Sequence, residues 1–226
     1  MSCTVIFDMD GVLFDSENLI LQNWKEIASK HGYDVEELSQ VFYSCIGTNA
    51  VVTKEIVCDH YGEEFPYEEF RTQSARLFKE KVQKYGMPIK PGVKELLILL
   101  KENGAKIGLA SSTRKCLVEE ELTEAGIREY FQVVVGGDMV EHSKPEPDVF
   151  LKCAQELSVD PKDVYIIEDS YNGIRAAKKA GATAIMVPDL IMPDEEMKHL
   201  SDHIMTTLSE VREWMEKNVF NANCAI

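Results

Sequence analysis

Apolar residues follow two different rhythms along the 226-residue chain. Short, mainly apolar runs at 5–7, 106–110, 131–135, 164–167 and 182–187 have the length and the Val/Ile content of strands buried on both faces. Between the later runs, apolar positions recur at helical spacing over 93–102, from Ser111-Ser112-Thr113 to Ala125-Gly126, and over 147–157, 172–180 and 208–217. Strands that alternate with helices predict an α/β protein with a doubly wound parallel sheet. From 16 to 87 the pattern is helical only: a helix capped by Ser16 and closed at His31-Gly32, then 35–45, 50–60 and 67–85. A helical block lodged after the first strand predicts a separate helical domain, 16–87, inserted in a core made of 1–15 and 88–226. Residues 218–226 are expected to fray.

Composition narrows the classes of partner. The chain is 45% hydrophobic and 28% charged, as a globular protein is, and its formal charge is −15. That charge argues against nucleic acid and against an anionic membrane surface. No apolar run reaches membrane-spanning length and no leader pattern precedes the first strand, so a cytoplasmic location is expected. Six scattered cysteines form no CxxC pair and read as reduced thiols. No oligomeric state is specified.

Candidate chemistry gathers at the strand ends. The first run stops at Asp8-Met9-Asp10-Gly11, and a doubly wound sheet presents its ligands at such carboxyl ends. Asp8 suits a nucleophile that takes up a phosphoryl group, or else a metal ligand. Asp10 suits a general acid and base, or a residue that stabilises the turn. Ser111, with Ser112 beside it, follows the second strand and could grip phosphate oxygens, although a serine there could equally be a helix cap. Lys144 stands in a loop stiffened by Pro145 and Pro147, where it could neutralise charge between Asp8 and a phosphate; the alternative is a solvated surface lysine. His142 in the same loop reads as a shaping residue. Glu168 and Asp169 end the fourth strand. Their hard oxygens suit magnesium, Asp169 directly and Glu168 through water, or they are an acidic pair at a helix start.

These stretches, Asp8-Met9-Asp10-Gly11-Val12-Leu13, Leu109-Ala110-Ser111, Lys144-Pro145 and Glu168-Asp169-Ser170-x-x-Gly173, make the chain resemble the haloacid dehalogenase superfamily. More narrowly it resembles the β-phosphoglucomutase-like branch, whose helical cap follows the first strand. The resemblance implies a Rossmann-like core, Mg2+ held by Asp8, Asp169 and the Asp10 carbonyl, an aspartyl-phosphate intermediate, and a cap that closes over the substrate. It also makes Ile20 and the Gly47-Thr48-Asn49 loop the expected determinants of specificity, with Gly47 and Thr48 touching substrate. Mutases of this branch carry a histidine where this chain has Ile20 and a lysine where it has Ile46. The expectation is therefore a magnesium-dependent phosphatase acting on a small phosphorylated metabolite, a sugar or polyol phosphate. A sugar phosphomutase is the alternative, and a non-catalytic phospho-receiver is a further one.

Overall fold

The computed structural model describes residues 3–46 and 50–221. By internal contacts it divides into two units, one of residues 1–14 and 89–226 and the other of residues 15–88.

The first unit is built on a parallel sheet of β1 (Thr4–Phe7), β2 (Lys106–Ala110), β3 (Val133–Val135), β4 (Val164–Glu168), β5 (Thr183–Met186) and β6 (His203–Ile204). Its order is β3-β2-β1-β4-β5-β6. The chain winds outward from β1 to β3, then returns to the other side of β1 for β4 to β6. The order therefore reverses between β1 and β4, where Phe7 is level with Ile167 and where such sheets open a crevice for ligands. Alternation along β1 explains why both faces are covered. Ile6 belongs with Ile166, Ala184, Phe150, Ile174 and Met197 in one buried cluster. Phe7 faces the opposite way and meets the Phe131 ring edge-on at 6.1 Å.

In this unit the helices are α5 (Val93–Glu102), α6 (Lys115–Glu124), α7 (Asp148–Glu156), α8 (Tyr171–Ala180), α9 (Glu195–Leu200) and α10 (Leu208–Met215). They follow α1 to α4 of the other unit, given below. Two elements lay outside the sequence expectation, α9 and β6. Both are too short for periodicity to register; α9 exists because the Asp194 carboxylate accepts from the Met197 N–H and Met197 is wholly buried. After α10 a single π-helical turn carries the chain to Phe220, where fraying was expected from 218.

The second unit is helical throughout: α1 (Ser16–His31), α2 (Val35–Cys45), α3 (Ala50–Tyr61) and α4 (Tyr67–Tyr85). Ser16 does not cap α1 as expected. It is the first helical residue, and Asp15 precedes it without a side-chain cap bond. Gly32 closes the helix in the left-handed region, φ 78°, and Asp34 caps α2 by accepting from the Glu37 N–H. The core of this unit is aromatic. Phe70 is fully buried, with the rings of Phe65 at 4.8 Å, Tyr33 at 5.6 Å and Trp24 at 6.1 Å. No helix among the described residues is long and apolar enough to cross a membrane.

Because Phe70 on α4 is fully buried against Trp24 of α1 and the loop rings Tyr33 and Phe65, Phe70→Ala is expected to cost about 3–5 kcal/mol by cavity formation. Urea unfolding of the full chain, followed by Trp fluorescence, measures it.

Candidate active site

The sheet itself fixes Asp8. Its N–H continues the ladder beyond β1 by donating to the Ile167 carbonyl at 3.0 Å, so its main chain is held at the mouth of the crevice. Lys144 comes to it from the loop after β3. Its Nζ donates to Asp8 Oδ1 at 2.5 Å, to Glu168 Oε1 at 2.6 Å and to the Ala110 carbonyl at 3.4 Å. The ammonium also lies 4.8 Å from the centre of the Phe150 ring on α7. With 7% of its side chain exposed, Lys144 is an internal cation and not a surface charge.

Charge explains the titration of the group. Burial pushes the Asp8 carboxyl up, to about 8; Lys144 pulls it down, and repulsion from Glu168 and Asp10 adds to the rise. Desolvation works to strip the proton from Lys144, but Asp8 and Glu168 outweigh it and hold its pKa above the ordinary lysine value. Asp169 is raised well above the usual carboxylate range by burial first, then by Glu168, Asp8 and Asp189. One ammonium therefore faces three carboxylates, Asp8, Glu168 and Asp169, each with an oxygen within 4.8 Å of the others. Hard oxygens in excess over the local positive charge are a donor set that fits a divalent cation such as magnesium.

Glu168, expected as a metal ligand acting through water, is held by protein donors on both of its oxygens. It is completely buried. Oε1 accepts from Lys144, while Oε2 accepts from the Asp169 N–H, the Ser170 N–H and the Ser170 hydroxyl at 2.9–3.0 Å. It holds Lys144 and shapes the turn. Gly173 makes room for it, since a Cβ at that position would lie 1.8 Å from the Glu168 carboxyl. Gly11 has a parallel duty: at φ 77°, a Cβ there would meet Asp169 Oδ2 at 2.2 Å.

Ser111 is buried after β2, and its hydroxyl accepts from the Thr113 N–H at 3.0 Å. Ser112 is exposed beside it. No serine caps the next helix. Instead α6 starts at Lys115, whose N–H donates to Asp138 Oδ1 at 2.8 Å. Gly136 and Gly137 let that neighbouring loop approach, because a Cβ on either would lie 2.3 Å from main-chain atoms of Lys115 or Ser112. Gly47 and Thr48 lie outside the described residues. His142 pairs with Asp148 at 3.0 Å and serves the loop, as expected.

Three residues here escaped the sequence reading. The Thr113 hydroxyl donates to Asp10 Oδ2 at 3.1 Å and so orients that carboxylate. Glu121 on α6 has a buried Oε2 with no hydrogen-bond partner among the described residues, and burial, then Asp10, pushes its pKa up to about 7. Asp189, after β5, accepts from Lys90 at 2.6 Å and adds negative charge near Asp169. For Thr113 the spacing from Ser111 was available as a signal; the other two depend on which elements pack together.

The chain has relatives among known proteins. A family model for haloacid dehalogenase-like hydrolases matches residues 5–187. The bifunctional riboflavin kinase/FMN phosphatase of Arabidopsis thaliana is 30% identical over 216 residues, 94% of this chain, which spans 55% of that enzyme's length. A phosphorylated carbohydrates phosphatase of Thermotoga maritima is 33% identical over 80% of this chain and 82% of its own. A β-phosphoglucomutase of Bacillus subtilis is 31% identical over 95% and 96%. Among solved structures, a HAD family hydrolase of Deinococcus radiodurans with bound phosphate and sodium superimposes with a TM-score of 0.78 at 26% identity, covering 96% of each chain.

Two outcomes follow for stability. Lys144→Met is expected to cost about 3–5 kcal/mol by leaving two buried carboxylates unpaired, and adding Glu168→Gln should recover part of that loss. Gly173→Ala, which gains about 1 kcal/mol in an ordinary helix, should instead lose about 2 kcal/mol or more through collision with Glu168. Chemical denaturation of the variants in metal-free buffer reads both.

Proposed function

The chain belongs to the haloacid dehalogenase-like hydrolases, and from that premise we propose that it is a magnesium-dependent phosphatase for a small phosphorylated metabolite of the sugar or polyol class. The observation that carries the reading is the Asp8–Lys144–Glu168 arrangement at the reversal of strand order, with Asp10 two residues on. The names of two relatives, a phosphorylated carbohydrates phosphatase of Thermotoga maritima and a hexitol phosphatase of Escherichia coli, support the same class of substrate.

In this mechanism an Asp8 oxygen attacks phosphorus and forms an acyl phosphate as the bond from phosphorus to the ester oxygen breaks. Asp10, protonated at that moment, gives its proton to the departing oxygen, because an alkoxide is a poor leaving group. The Asp10 carboxylate then takes a proton from a water that attacks the acyl phosphate, which restores both carboxyl groups and releases inorganic phosphate. Thr113 holds Asp10 in orientation for both transfers. Lys144 offsets the charge that accumulates between Asp8 and the phosphoryl oxygens, and Ser111 with Ser112 receives those oxygens. Asp8, Asp169 and the main-chain carbonyl of Asp10 would hold magnesium, which when bound neutralises phosphoryl charge at the nucleophile. The helical insertion is read as the family's cap.

Against a panel of phosphate monoesters, release of inorganic phosphate is expected with magnesium and not with a chelator. Asp8→Asn and Asp10→Asn should each lower kcat by about 10³-fold or more. Asp8→Asn should also unfold no more easily than the parent, and by about 1 kcal/mol less easily, because it removes a repelled buried carboxylate. Full turnover in Asp8→Asn would refute the mechanism. Conserved organic phosphate together with a requirement for a sugar bisphosphate would establish the mutase instead.

A further inference from the structure

The strand beside the Glu168-Asp169 turn delivers a carboxylate of its own. β5 runs along β4 with Met186 level with Glu168, and the ladder continues one step further, where the Val187 N–H donates to the Glu168 carbonyl at 2.7 Å. Asp189 follows two residues on. It stands at the same edge of the sheet as Asp169, on the neighbouring strand, and neighbouring strands lie about 5 Å apart. The Asp189 side chain is 10% exposed. Its Oδ1 accepts from the Lys90 ammonium at 2.6 Å, and Lys90 is fixed in turn by its N–H on the carbonyl of Leu13, in the turn after Asp10. Oδ2 is buried and has no hydrogen-bond partner among the described residues.

A buried carboxylate oxygen without a donor is costly, so the position favours a ligand that brings hydrogens. The place of Asp189 narrows what that ligand is. Its repulsion is among the causes that raise Asp169, so the two carboxylates are close. Yet Asp189 is not one of the three, Asp8, Glu168 and Asp169, whose oxygens gather within 4.8 Å of one another. It borders the cation site without joining it.

Hydrogens at such a border come with magnesium. The ion demands an octahedral shell and keeps several of its waters. Asp8, Asp169 and the Asp10 carbonyl leave part of that shell to water, and waters polarised by the ion need acceptors. Glu168 has little to spare, because Oε2 accepts from three groups and Oε1 from Lys144. Asp189 Oδ2 is an uncommitted acceptor one strand away.

We propose that Asp189 is a positioning residue for magnesium: its Oδ2 accepts a hydrogen bond from a water on the ion, while Lys90 holds Oδ1 and so sets the direction of the carboxylate. The inference rests on the magnesium-dependent reading above and deepens it, adding a contact made through water to those made directly.

The test is isothermal titration of the metal-free full chain with magnesium chloride, with the melting temperature of each metal-free variant reporting whether the fold is kept. Asp189→Asn preserves the size of the side chain, but its carbonyl must face the Lys90 ammonium, which turns an amide NH2 toward a water that also donates. Magnesium binding should weaken about tenfold or more. Asp189→Glu preserves the charge and displaces the oxygens by one methylene, and it should weaken binding by a similar factor. Parent affinity in folded Asp189→Asn would overturn the proposal. So would a loss in Asp189→Asn with parent affinity in Asp189→Glu, since the charge would then act only at a distance. If neither variant folds, a crystal of the parent grown with magnesium decides. One of the ion's waters is expected within about 3.2 Å of Asp189 Oδ2; an ion whose waters all lie elsewhere, or one that Asp189 ligates directly, refutes the proposal. A parent that binds no magnesium refutes the magnesium reading and this inference with it, whereas a parent that binds and is matched by Asp189→Asn refutes this inference alone.

Discussion

The bridge that Lys144 makes between Asp8 and Glu168 is the interaction on which the first unit's chemistry depends. Burial drives a carboxylate in the crevice walled by β1 and β4 toward its protonated form, and a cation set against it opposes that drive. Lys144 provides that cation from inside the protein, 2.5 Å from Asp8 and 2.6 Å from Glu168. One ammonium does not balance three carboxylates, however, and the remaining negative charge is what a divalent ion would satisfy. The same arithmetic bears on an anionic ligand. In a chain of formal charge −15, a phosphate can be held only where local cations outweigh the general field.

Space at this site is made by the absence of side chains. Gly11, Gly136, Gly137 and Gly173 stand where a Cβ would strike Asp169, Lys115, Ser112 and Glu168 in turn. Each lets backbone approach a functional group, so the carboxylates and the loop after β2 converge without displacing the strands that carry them. Only Gly11 among these four also needs the left-handed backbone region. The other three are required by packing alone, which is why Gly173 can sit in the first turn of α8 despite its poor helix propensity.

The helical unit follows a different physical rule. Alongside buried Ile27, Leu38 and Val57 it packs a cluster of rings, with Phe65, Tyr33 and Trp24 against Phe70 and Phe42 against Trp24. Flat, rigid side chains fill volume with few adjustable torsions. Trp24 and Phe42 of this cluster also wall a cavity of about 450 Å³ in the unit, beside Thr53, Arg71 and Ser74.

Much of the architecture was legible in the amino-acid order, because periodicity and end signals are local. The parallel sheet, the helical insertion and the polar strand ends at Asp8, Ser111 and Glu168 follow from apolar runs broken by glycine, serine and acid. What escaped was short or depended on neighbours: α9 and β6, whose lengths give no periodic signal, and Glu121 and Asp189, whose surroundings arise only when α6 and the segment after β5 pack near the strand ends. By itself the sequence determined which elements form and which chemical groups end them, since propensity, capping and alternation act within a few residues. Only the tertiary structure decided that Lys144 would be an internal cation and Glu168 its anchor, because a side chain's charge and exposure depend on groups brought from 136 and 24 residues away.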